Sequence, residues 1–121
     1  IGGYDYSNWY GEVDSLKSKM STLKSTMSQF GIDMIVSYEG GQHLDALTGN
    51  FARDANSYNM MKYWIDKVDD VVSLTCHYTH SGKWKPNNES GMGSWGAVSY
   101  IGQPINEAHK YRALKDYAEG R

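Results

Sequence analysis

The sequence has a single cysteine, Cys76, in 121 residues. An internal disulfide framework is therefore excluded, while the redox compartment stays open, because many secreted proteins carry no bridge. A surplus of either charge is missing: 12 Lys and Arg against 14 Asp and Glu give a formal net charge of −2. Neutralising phosphates requires a cationic surplus, so no nucleic-acid partner is expected. No apolar run approaches the ~18–20 residues that span a bilayer, and no membrane partner is expected. Gly40-Gly41 lacks the remaining glycines and the Lys-Ser/Thr pair of a phosphate loop, and no dinucleotide fingerprint is present. A nucleophile elbow is missing too, since Gly91-Met92-Gly93-Ser94-Trp95-Gly96 sits in a loop rather than after a strand. Cys76, His77 and His80 match no zinc spacing, and no second cluster completes four ligands. We expect neither metal nor cofactor.

What is present is a soluble-domain composition, 40% apolar and 21% charged, with length for one modest core over residues 1–121. Ten Tyr and four Trp stand against two Phe. Such rings pair a flat apolar face with a polar edge and suit interfaces and ligand platforms. Val13, Leu16, Met20, Leu23, Met27 and Phe30 recur at steps of three and four, which predicts a helix capped by Ser7 or Asn8 and stopped by Gly31. Residues 32–38 read as a short buried strand. Ser57 caps a second helix with Met61, Trp64, Ile65 and Val68 on one face. Residues 71–77 read as a second strand, and a Gly/Asn/Ser-rich loop runs from Lys83 to about Gly93. A last helix covers about 106–118, with Ala108, Tyr111 and Leu114 inward. Ile1–Tyr4 has the composition of the end of an earlier strand.

Strands alternating with helices predict an α/β fold with a parallel sheet, in which ligands bind beyond the carboxyl ends of the strands. Three clusters claim that rim: Tyr4-Asp5-Tyr6, Tyr38-Glu39-Gly40-Gly41-Gln42-His43 and His77-Tyr78-Thr79-His80. A carboxylate ending a buried strand is costly unless solvated, paired or used. Glu39 has two roles open to it: a ligand-site acid, or a side chain that caps the next helix or pairs with a lysine. The glycines after it permit a turn and close approach of a ligand to the backbone. Trp84 and Trp95, in or beside the glycine-rich loop, suit stacking on a sugar ring or plugging the loop base. Asn88-Glu89-Ser90 has the pattern of a glycosylation sequon.

The segment Ile35-Val36-Ser37-Tyr38-Glu39-Gly40-Gly41-Gln42-His43-Leu44 resembles the YEGGQH stretch of certain (β/α)8-barrel glycoside hydrolase-like proteins. Gly93-Ser94-Trp95-Gly96-Ala97-Val98 and Gln103-Pro104, with Ala108, Lys110, Tyr111, Ala113 and Leu114, resemble the closing segment of the same barrels. The resemblance implies the C-terminal portion of a TIM-type barrel, about strands six to eight, or a partial barrel. It gives Glu39, at the end of strand seven, the place of the nucleophile of retaining glycosidases. Tyr4, Gln42, His43, His77, Tyr78, Trp84 and Trp95 are then expected around the sugar.

The acid/base carboxylate of such enzymes comes from strand four, which these residues do not include, and a retaining mechanism needs two carboxyl groups ~5–5.5 Å apart. A closed barrel takes at least ~200 residues, so this chain reads as a fragment, or as one completed by a homo-oligomer or a partner chain. Three functions follow: a glycoside hydrolase, a non-catalytic carbohydrate-binding or structural assembly module (of a surface or virion, for instance), and a small open α/β domain with an unrelated ligand. An extracellular or surface-associated place is favoured.

Overall fold

The computed structural model describes residues 6–40, 54–84 and 95–121, apart from the side chains of Tyr6 and Ser7. Among them the order is α1 (Tyr6–Ser28), β1 (Val36–Gly40), α2 (Asn56–Asp69), β2 (Leu74–His77) and α3 (His109–Ala118). The fold is α/β: three helices and a small parallel sheet of two strands.

α2 is the centre of the packing. Met61 and Ile65 on it meet Ala113 of α3, with Tyr58, Trp64 and Leu114 closing the cluster. One turn on, Val68 joins Val71 and Val72 beneath Met20 of α1 and Ile35. Burying side chains of this size contributes ~1.5–3 kcal/mol each, so this seam fixes how both helices sit. The helix begins one residue before the expected cap. Ser57 lies inside it, buried, and its Oγ donates to the Asp54 carbonyl at 2.7 Å. Asp54 Oδ1 takes the Asn56 amide at 2.8 Å, serving the first turn in place of Ser57.

α1 also starts early, so Asn8 is a helical residue rather than a cap. It ends where Gly31 adopts φ 77° and the Ile32 amide returns to the Met27 carbonyl at 3.1 Å. Its buried side is not the whole apolar stripe. Val13 is buried, whereas Leu16, Leu23 and Phe30 are exposed, Phe30 by 75%. α1 touches α2 along a narrow line: Tyr10 meets Tyr63 edge-on at 4.7 Å, Tyr63 donates to Asp14 at 2.6 Å, and Lys17 pairs with Asp70. One neighbour can cover only one side of a helix.

Both strands start later than expected. Residues 32–35 precede β1, and Val71 and Val72 instead close the end of α2, their amides bonded to the Val68 carbonyl. The ladder aligns Val36 with Leu74, Ser37 with Thr75 and Gly40 with His77. Tyr38 and Glu39 thus both stand opposite Cys76, a bulge that bends a strand and re-aims its side chains. Nor is the sheet buried on both faces. Ser37, Thr75 and His77 are partly covered, but Val36, Tyr38, Leu74 and Cys76 are exposed, Tyr38 by 84%.

Candidate functional site

The two strands finish together. The Tyr78 amide donates to the Gly40 carbonyl at 2.7 Å, extending the ladder past the strand ends. Gly40 is buried, and a β-carbon there would lie 2.6 Å from Thr75 Cγ2 and 2.9 Å from Trp64 Cη2. The glycine that sequence reasoning reserves for a ligand is needed by α2 and β2. Glu39, one residue earlier, is exposed in the bulge. Gly40 therefore anchors the strand end that displays Glu39.

After β2 the chain runs through a cis Tyr78–Thr79 peptide bond and pairs with a later segment. Thr79 and His80 carbonyls accept from the Ala97 and Val98 amides at 2.9 and 3.0 Å, and the Gly82 amide donates to the Val98 carbonyl at 3.1 Å. A short third parallel rung, Ser81 with Val98, thereby lies beyond β2. It brings Trp95 edge-on to Tyr78, ring centres 6.0 Å apart and planes at 77°. His80 meets Tyr111 of α3 in the same manner at 6.1 Å.

Of the expected site residues, the catalytic candidate Glu39 and the substrate candidates Tyr78 and Trp95 are carried at this end of the sheet, the first two exposed and Trp95 half-buried. Tyr4, Gln42 and His43 lie outside the described residues. Trp84 is 1% exposed, with its indole N–H bonded to the Gly96 carbonyl at 2.8 Å. That is the plugging role. His77 is half-buried on the side of β2 turned to the helices, and its two ring nitrogens are buried without a hydrogen-bond partner among the described residues. Burial, then the nearby Lys110 charge, pushes its pKa down to about 4, so the ring is neutral at pH 7.

Lys110 is the residue that sequence reasoning missed. It is fully buried, its Nζ 5.7 Å from the Trp84 ring centre, and burial lowers its pKa to about 7. Its signal was its spacing, since it lies three residues before the inward Ala113. Among the described residues no group of three or more His, Cys, Asp or Glu side chains is arranged to hold a metal ion. No helix there is long and apolar enough to cross a membrane.

A separate cleft of about 290 Å³ lies between α2, β2 and α3, bounded by Trp64, Val72, Thr75, His77, Leu114 and Tyr117 among others. Its wall includes His77, the last residue of β2, on the side of the strand turned to the helices. Comparison of the chain with protein-family models, with curated protein sequences and with solved structures found no match.

Proposed function

We propose that this chain is a glycoside hydrolase-like, carbohydrate-processing protein built as the C-terminal part of a TIM-type barrel, with Glu39 as its nucleophile. The observation that carries the reading is the exposed Glu39 in a bulge at the carboxyl end of β1, on a sheet that also bears the Tyr78–Trp95 pair at its end. Parallel α/β sheets bind ligands at that end, and a rim that carries both an exposed carboxylate and aromatic rings suits a sugar. The bare apolar face of the sheet accords with a barrel interior, because parallel sheets are normally covered on both faces.

Glu39 can be tested without its acid/base partner. A 2,4-dinitrophenyl 2-deoxy-2-fluoroglycoside carries a leaving group that departs unprotonated. A Glu39 carboxylate oxygen attacking the anomeric carbon forms the glycosyl ester, dinitrophenolate leaves with the bonding pair, and the fluorine slows hydrolysis. The chain is incubated with the gluco, galacto, manno and xylo reagents and its peptides are weighed. A glycosyl adduct on Glu39, lost in Glu39→Gln, is the expected result. No adduct with any of the four would refute the nucleophile.

The exposed face favours a second reading, a carbohydrate-binding or structural assembly module in which that face is covered by other subunits. Glycan binding without adduct formation, equal in the chain and in Glu39→Gln, would select it.

A further inference from the structure

We propose that Trp84, out of reach of any ligand, is a positioning residue that holds Trp95 against Tyr78. Trp95 stands one residue before Gly96, and Gly96 is fixed from both sides. Its carbonyl receives the buried Trp84 N–H at 2.8 Å. Its α-carbon lies so close to the backbone of residues 82 and 98 that a β-carbon would collide with the Gly82 nitrogen and the Val98 oxygen. The same short stretch is tied down a second time, where the Trp84 amide donates to Ser99 Oγ at 3.2 Å and the Ser99 amide to Gln103 Oε1 at 2.8 Å. Lys110 lies over the Trp84 ring from α3, so the indole is clamped between the helix and the rung that carries Trp95.

The geometry converts one buried donor into the orientation of a rim ring. A buried indole N–H has to find an acceptor. Here the acceptor is the carbonyl beside Trp95, so moving that carbonyl moves the aromatic wall. The consequence for sugar affinity rests on the carbohydrate reading above; the consequence for Trp95 does not.

The test is ¹⁹F NMR of the chain labelled with 5-fluorotryptophan, which reports its four tryptophans separately, Trp9, Trp64, Trp84 and Trp95. Trp84→Phe retains an aromatic ring over Lys110 and removes the N–H. The Trp95 resonance is expected to shift toward that of a solvent-exposed indole and broaden, while Trp9 and Trp64 stay in place. If Trp84→Phe disturbs all the remaining resonances, Trp84→3-benzothienylalanine, an isostere with sulfur for N–H, is judged by the same criterion.

An unmoved Trp95 resonance, or joint movement of Trp9, Trp64 and Trp95 even in the isostere, overturns the proposal. Binding is titrated with cellohexaose, chitohexaose and xylohexaose. Whichever binds the wild type is expected to bind Trp84→Phe roughly fivefold to tenfold more weakly, the worth of one hydrogen bond. If Trp95 moves and none of the three binds the wild type, the positioning role stands and the carbohydrate reading loses its support.

Discussion

Replacing Lys110 by methionine should remove the alkaline rise in the stability of this fold. Lys110 is fully buried on α3 with its Nζ 5.7 Å from the Trp84 ring centre, and burial holds its ammonium at about pKa 7 instead of 10.5. Between those values the unfolded chain binds more protons than the folded one, so stability climbs with pH. At ~1.4 kcal/mol per pH unit, the climb between pH 7 and 9.5 integrates to roughly 3 kcal/mol. Urea unfolding has a slope of ~1–3 kcal/mol per molar for domains of this size, so the midpoint should rise by about 1–3 M.

The window must stop at pH 9.5, because Tyr58, Tyr63 and Tyr117 have raised pKa values in the fold, Tyr117 to about 12. A tyrosine held protonated in this way withdraws stability once the pH exceeds its unfolded value near 10. Lys110→Met keeps the aliphatic stem and has no proton to lose. Its urea midpoint should be flat over the same window and should exceed that of the wild type at pH 7. A variant whose midpoint climbs as steeply as the wild type, or a wild type with no climb at all, would show that the Lys110 ammonium is not held in a costly place.

On the acid side His77, lowered to about 4, should withdraw stability as pH falls from 7 to 4, since the unfolded imidazole protonates first near 6.5. The loss should be less than the roughly 3 kcal/mol of the full shift, because solvent screens a half-buried ring. His77→Leu should flatten part of that limb in the same urea series, leaving the share due to Asp14, Asp70 and Glu119, whose carboxyls are held below their usual values. Gly40→Ala should destabilise by about 1–3 kcal/mol through overpacking against Thr75 and Trp64; a melting temperature equal to the wild type would contradict the close approach. Gly11→Ala, where a β-carbon meets nothing within 4 Å, should gain roughly 0.5–1 kcal/mol because Ala outranks Gly inside a helix. Met61→Ala, at a fully buried position, should lose about 2–5 kcal/mol by calorimetry.

α2 could be read from the sequence because it is covered from several sides. Met61, Ile65 and Val68 form a stripe that α3, α1 and the turn after the helix all need buried. Where a helix has one helical neighbour among the described residues, the same pattern misleads. α1 has apolar residues at every expected step, but Tyr10, Asp14, Lys17 and Met20 are the side chains that meet α2 and the turn after it, and Leu16 and Leu23 stay exposed. The strand shift has a similar cause. Residues 32–35 are more strand-like than Tyr38-Glu39-Gly40, yet a strand exists only where a partner aligns with it, and the ladder begins at Val36 with Leu74.

Trp84 and Trp95 are a harder case, because composition and the surrounding glycines treat them alike. What separates them is one hydrogen bond and one missing β-carbon. Gly96 lets its segment come close to Gly82, which places its carbonyl where the Trp84 N–H can reach it. Trp84 is then satisfied inside and stays buried, while Trp95, one residue before the anchored carbonyl, is left against Tyr78 at the rim. Lys110 was hidden for the complementary reason. A lysine at core spacing is normally assigned to solvent, and an aromatic face beside its ammonium is one contact that offsets burial. Pattern in a single segment can nominate Glu39, Tyr78 and Trp95, but which aromatic faces outward depends on the meeting of residues 82, 84, 96 and 110, three chain segments that only the fold brings together.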